Sequence, residues 1–148
     1  MIRHIFIAPV KNAPAKSVEQ VEALEDEGLE GDRYAEARNR ETPDCQVTFI
    51  ELEAIRAFTE QTRLAMTPES PRRNIVTEGV RLNPLVGKRF RIGEALFEGV
   101  ELCEPCGKFA RNTHREALKF FVHRGGLRAH ILSGGLLRVG DEVRIADE

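Results

Sequence analysis

The sequence predicts an α+β fold rich in β-structure, with a few helices, built as a single domain over residues 1–148. Three observations carry that prediction. Short β-favouring runs bounded by Gly, Pro and Asp recur along the chain. Only two segments have clear helical spacing, and the strand-like runs between residues 75 and 102 follow one another without long helices, which disfavours a doubly wound parallel sheet. A chain of 148 residues, 41% of them hydrophobic, is long enough for one real core and short for two.

The elements follow in order. Ile2, Phe6 and Ile7 belong to an early β-favouring run that stops at Ala8-Pro9, so a first strand and then a loop through Lys11, Asn12 and Pro14 are expected. Ser17-Val18-Glu19-Gln20 has the form of a capping box, and Val18, Val21 and Leu24 share a helical face. The same segment reads equally as an acidic strand, so both readings stand. Glu27-Gly28-Leu29-Glu30-Gly31-Asp32-Arg33-Tyr34 suits a tight turn that presents polar groups, with Asp32 as a turn residue that holds Arg33 in place.

Gln46–Ile50 reads as a strand, and Leu52, Ile55 and Phe58 define an amphipathic helix between Glu51 and Leu64 that Pro68 and Pro71 end. Arg72-Arg73-Asn74 then precedes a short strand at Ile75-Val76-Thr77. Leu85-Val86-Gly87 and Phe90-Arg91-Ile92 are read as strands, the latter with Phe90 and Ile92 buried and Arg89 and Arg91 wet. Gly93-Glu94 turns the chain into Ala95–Leu102.

A second capping box, Thr113-His114-Arg115-Glu116, predicts a helix with Ala117, Leu118, Phe121 and Val122 on its apolar stripe, closed by Gly125-Gly126. The remainder, through Gly134-Gly135 and Gly140-Asp141 to Ile145, reads as a closing β-meander.

No run of eighteen apolar residues exists, and the N-terminus lacks the features of a signal peptide, so a cytoplasmic protein that does not enter membranes is expected. The net charge of −2 conceals an asymmetry: residues 1–70 hold 8 Lys and Arg against 14 Asp and Glu, and residues 71–148 hold 14 against 10. A basic half in a mildly acidic chain points to a local anionic ligand and away from nucleic acid.

The most informative motif is Leu102-Cys103-Glu104-Pro105-Cys106-Gly107-Lys108. Pro105 cannot donate to a ladder, so the chain should leave the strand there and carry Cys106 onto a loop. Lys108, Arg111 and Arg115 supply cations of the kind that favour a thiolate. Four readings of the pair stand side by side. They are a thioredoxin-like dithiol, a structural zinc site with Cys103, Cys106, His114 and His123, an inert buried pair, and one thiolate that binds a soft metal or carries sulfur. A dithiol needs its first cysteine at a helix N-terminus, whereas the capped helix is expected only from Thr113. Cys45 has no motif partner and reads as packing.

The ordered set Glu30-Gly31-Asp32-Arg33, Gln46–Ile50, Arg72-Arg73-Asn74-Ile75-Val76, Leu85-Val86-Gly87, Leu102–Cys106, Arg124–Arg128 and Val139-Gly140-Asp141 resembles the MOSC domain, the C-terminal domain of molybdenum cofactor sulfurase. The likeness runs over nearly the whole chain. It implies a MOSC-type β-barrel with a few peripheral helices, and it makes Cys106 the key residue: a molybdenum ligand, or a persulfide carrier in sulfur-transfer members. The cofactor implied is molybdenum cofactor (molybdopterin), a pterin with a dithiolene and a terminal phosphate. Such a group needs one thiolate near the metal and several cations for the phosphate.

By the same likeness Lys11 and Asn12 match a cofactor-contacting segment of the amidoxime-reducing relatives, Arg33 is another contact to an anionic group, Arg72 and Asn74 match a further ligand segment, and Arg128 is an additional contact. The larger relatives carry extra domains, so electrons are expected from a separate ferredoxin- or flavin-type protein. The implied activity is reduction of small N-hydroxylated or N-oxide compounds. The alternatives are a sulfur carrier that exchanges persulfide sulfur on Cys106 with a donor or acceptor protein, and a non-catalytic zinc-stabilised binding module.

Overall fold

The computed structural model describes residues 1–40 and 45–146. Eleven strands form two sheets among these residues. In chain order the strands are β1 (Ile2–Ile7), β2 (Lys16–Val18), β3 (Gln20–Leu24), β4 (Gly28–Leu29), β5 (Val47–Glu51), β6 (Ile75–Thr77), β7 (Arg89–Ile92), β8 (Ala95–Leu102), β9 (Leu127–Ser133), β10 (Gly135–Arg138) and β11 (Val143–Ile145). The larger sheet runs β11-β7-β8-β9-β5-β6-β1-β2, and the smaller runs β10-β3-β4. Only the β5–β6 pair is parallel among the strand pairs; its crossover is the helix α1 (Leu52–Thr62).

The expected α+β, sheet-dominated class is observed, but the closed barrel is not. The edge strands β11 and β2 do not pair with each other. β10 leaves the larger sheet to pair with β3, and single backbone bonds fasten the turn after β10 to β1: Ile2 N donates to Asp141 O at 2.8 Å and Gly140 N to Ile2 O at 2.7 Å. The smaller sheet thus covers one face of the larger one. Val21, Ala23, Leu29 and Leu137 pack there against Ile2, Phe49, Phe90 and Phe97 in one core. Within that core the Phe49 ring meets Phe90 and Phe97 edge-on at 5.5 and 5.7 Å, a favoured aromatic arrangement.

β5 is buried on both faces, which explains its run of apolar residues. Val47 and Phe49 enter the first core; Ile50, one step out of phase, enters a second with Val76, Leu52, Ile55, Phe58, Phe109 and Phe121. Leu52, Ile55 and Phe58 are the buried stripe of α1, as the spacing predicts. The helix ends two residues earlier than its apolar pattern, at Arg63, whose left-handed φ of 64° lets its N–H reach Thr59 O at 2.9 Å.

Of the two readings of the Ser17 segment the strand is observed, split between β2 and β3, because pairing with β1 and β10 satisfies its backbone. Several expectations are corrected. Leu85-Val86-Gly87 is a 3-10 turn over Asn83–Leu85 with one isolated bridge from Val86 to Gly99. Pro84 in that turn cannot donate to a ladder. The C-terminal strands exist but form no meander: β9 pairs with β8 and β5, β10 with β3, and β11 with β7. The helix expected from Thr113 is reduced to the single turn α3 (Ala117–Phe120), and a separate helix, α2 (Gly107–Asn112), precedes Thr113. Phe90 and Ile92 are buried with Arg89 exposed and Arg91 half-buried, as read from the sequence.

Candidate functional site

The site is built where the ends of β1, β8 and β9 meet the loops before β6 and after β4. At the end of β1, Ala8 is fastened to the Gly-Asp-Arg turn. The buried Asp32 accepts from Ala8 N at 2.8 Å through Oδ1 and from Tyr34 N at 3.2 Å through Oδ2, capping the 3-10 turn Arg33–Ala35. Asp32 therefore does the positioning read from the sequence. Gly31 supplies the φ of 86° that the turn needs. Arg33, the next residue, lies over the Tyr34 ring at 4.4 Å and donates to its hydroxyl at 3.1 Å.

The Arg72-Arg73-Asn74 segment is held from both ends. Asn74 is buried, and its Oδ1 accepts from Thr48 N at 3.0 Å while its Nδ2 donates to Phe6 O at 3.2 Å. Expected as a cofactor contact, Asn74 has its amide engaged with β1 and β5. Arg73 donates to Gly125 O at 2.8 Å and to Pro71 O at 3.2 Å, with its guanidinium over Phe109 at 5.0 Å.

Arg72 differs from both. Its backbone sits in the left-handed region at φ 57°, which costs a non-glycine residue about 1 kcal/mol. Its Nη2 is buried with no hydrogen-bond partner among the described residues. Burial pulls its pKa below the ordinary arginine value, and the neighbouring Arg33 charge adds to that pull. An unpaired donor and a like-charged neighbour are features that an anion would relieve together.

Cys103 and Cys106 have separated fates. Cys103 ends the β8 run, buried, with its N–H donating to Gly126 O at 2.8 Å. Cys106 is exposed and is the N-cap of α2. The helix therefore starts directly after the thiol, six residues before the capping box. Gly125 and Gly126 make this junction possible: a Cβ on either would lie 2.0 Å from a backbone oxygen, of Cys103 and of Phe49 respectively. No disulfide joins the cysteines, and Cys45 is buried as packing.

These segments enclose two adjoining clefts and a small recess. The inner cleft, of ≈ 60 Å³, is lined by Cys106, Arg33, Arg72, Arg73, Lys108 and Arg128, among others. Arg128 also pairs with Glu101 at 3.3 Å across β8 and β9. The outer cleft, of ≈ 740 Å³, is lined by Lys11, Asn12 and Arg33 together with Arg38, Arg40, Lys108 and Arg111. A recess of ≈ 10 Å³ behind Arg33 and Arg72 includes Asn74. Lys11, Asn12, Arg33, Arg72, Asn74, Cys106 and Arg128 thus each line one of three neighbouring spaces that share Arg33.

Sequence reasoning did not assign Arg38, Arg40, Lys108 or Arg111 to ligand contact, although Lys108 and Arg111 were noted as cations near the thiol. Their spacing of three on a helix starting at Gly107 was the available signal. Arg115 lines none of these spaces; its exposed side chain lies 3.8 Å from Glu116. The zinc quartet is not assembled. His123 pairs with Glu104 at 2.6 Å, His114 accepts from Glu116 N, and no group of three or more His, Cys, Asp or Glu able to hold a metal occurs among the described residues. No helix of the described residues is long and apolar enough to cross a membrane.

Comparison with known proteins agrees with this architecture. The family model of the MOSC domain matches residues 36–144, well over half of the chain, so the protein belongs to the MOSC domain family, which is associated with molybdenum cofactor binding. Among solved structures, YuaD from Bacillus subtilis is similar with a TM-score of 0.78 at 19% identity, covering 97% of this chain and 93% of that one. YiiM from Geobacillus stearothermophilus is similar with a TM-score of 0.75 at 14% identity, covering 99% and 76%. YiiM from Escherichia coli gives 0.64 at 20%, covering 99% and 70%. At these identities the likeness is one of fold. Among curated proteins none matches.

Proposed function

We propose that the chain binds molybdenum cofactor, with the Cys106 thiolate as metal ligand, and reduces small N-hydroxylated or N-oxide compounds with electrons from a partner protein of the ferredoxin or flavin type, in the cytoplasm. The observation that carries this reading is the unpartnered, buried Nη2 of Arg72 in the cleft that Cys106 also lines. An anion-accepting guanidinium beside an exposed thiol fits a group that couples a thiophilic metal to a phosphate.

In this reading Arg33, Arg72 and Arg128 neutralise the anionic groups around the metal end, while Lys11 and Asn12, exposed at the mouth, contact the phosphate or pterin. Asn74 acts one step back, fixing the Arg72 segment through Thr48 and Phe6. When bound, the cofactor supplies the two-electron metal centre for the reduction. The overall change is balanced as N-hydroxy compound plus two electrons and two protons to the amine and water, with the N–O bond broken. The chain's part is to hold the group, orient it and keep bulk water from the inner cleft.

Exposure of Cys106 also favours a second reading, transfer of persulfide sulfur. The two separate experimentally. Protein from a host that makes the cofactor should reduce an N-hydroxylated compound with dithionite as electron source, and Cys106→Ala should not. Cyanide-labile sulfur on Cys106 without such reduction would favour the carrier instead.

A further inference from the structure

The outer cleft holds more positive charge than one phosphate requires. Lys11, Arg33, Arg38, Arg40, Lys108 and Arg111 line it, and among the described residues no Asp or Glu does. Arg38 is partly neutralised by Glu36 at 2.7 Å. Among the described residues Arg40 is held by backbone oxygens, of Tyr34 at 2.8 Å and Glu27 at 2.6 Å, which fix it in place without neutralising its charge. The side chains of Lys11 and Arg111 make no ion pair or hydrogen bond among the described residues.

Size points the same way. A cleft of ≈ 740 Å³ lies in the range that takes a whole small molecule. Lys108 and Arg111 stand three apart on α2, with Asn112 beside them, so one helical face presents two cations and an amide to the cleft. Lys108 and Asn112 line the inner cleft as well, so a ligand in the outer cleft lies against the Cys106 compartment. Asn12, at φ 67°, adds a second exposed amide to the lining.

We propose that the outer cleft is a binding site for a diphosphate-bearing ligand of nucleotide type, with Lys108 and Arg111 taking the phosphates and Asn112 the polar body. This deepens the cofactor reading of the inner cleft and rests on it for the ligand's orientation: Lys11 and Asn12 stay with the cofactor end, and in an extended cofactor its own phosphate is one of the two. The diphosphate has two possible sources: a nucleotide extension of the pterin cofactor, or a substrate that is itself a nucleotide.

The test uses the metal-free protein and inorganic pyrophosphate, followed by calorimetry. Saturable one-to-one binding is expected, weakened about tenfold in each of Lys108→Ala and Arg111→Ala, as for loss of a charge-assisted contact. Arg144→Ala, at an exposed arginine outside the cleft, should bind as the parent does. Absence of saturable binding up to about 1 mM, or equal weakening by Arg144→Ala, overturns the proposal.

The cofactor reading fails separately, through absence of molybdenum from the parent protein. Acid release of a nucleoside monophosphate stoichiometric with molybdenum assigns the diphosphate to the cofactor. Its absence, with ADP or CDP binding more tightly than pyrophosphate, assigns it to the substrate.

Discussion

Asn74 and Thr48 are locked reciprocally. The Asn74 Oδ1 accepts from Thr48 N at 3.0 Å and from the Thr48 hydroxyl at 3.2 Å, and that hydroxyl accepts from Asn74 N at 2.9 Å. The bonds join the loop that carries Arg72 to the buried strand β5, where water cannot replace them. Asn74→Ala should therefore lower stability by ~1–3 kcal/mol, the usual cost of leaving buried donors unsatisfied. In urea the midpoint should fall with the slope unchanged. A midpoint equal to the parent's would contradict the positioning role.

Cys103 and Cys106 should differ sharply in reactivity. Cys103 is 2% exposed and Cys45 1%, whereas Cys106 is exposed. Native metal-free protein treated with iodoacetamide should carry one label, on Cys106 by peptide mass mapping. The other two thiols should react only after unfolding. Rapid labelling of Cys103 in the native protein would refute the separation of the pair.

Gly126→Ala should disrupt the site as well as the fold. The added Cβ would lie 2.0 Å from Phe49 O at a residue whose φ is 115°, so β9 must move away from β5. A loss of at least ~3 kcal/mol is expected, in the range of severe backbone conflicts. The same change at Gly79, where a Cβ meets nothing within 4 Å, serves as control: its φ of 82° leaves only backbone strain. Equal thermal midpoints for the two variants would contradict this account.

Arg72 sets stability against binding. Its guanidinium is partly buried, has an unpaired Nη2 and lies near Arg33, so the charged form is disfavoured in the folded state. A base whose folded pKa is lowered makes folding less favourable at every pH below that pKa, and the penalty lifts only as pH rises through it, in the alkaline range. Between pH 6 and 8 the penalty is constant. Arg72→Met should therefore leave the metal-free protein at least as stable as the parent at neutral pH, yet weaken cofactor retention. Thermal midpoints of the metal-free proteins and cofactor content after gel filtration test both halves. Lower stability with unchanged retention would reverse the argument.

The sequence carried the local patterns well. Leu52, Ile55 and Phe58 defined α1, and the alternation around Phe90 and Ile92 defined β7, because burial imposes those periods directly. Partners across the sheets were not legible. Gly134-Gly135 reads as hairpin chemistry, but Gly134 is required because a Cβ there would stand 2.6 Å from Ala23 O on the other sheet. The start of α2 was missed because Gly107 is a poor helix former and only Phe109 of its residues is buried. That displaced Lys108, Arg111 and Asn112 from the site. Asn74 matched a ligand segment, and only its bonds to Thr48 and Phe6 reveal that its amide is engaged within the fold.

The most direct test of the account is the molybdenum content of the protein purified from a cofactor-producing host, measured by elemental analysis beside pterin fluorescence. The account predicts near-stoichiometric metal and pterin in the parent and loss of the metal in a folded Cys106→Ala variant. Equal metal content in the two proteins, or none in either, would contradict it.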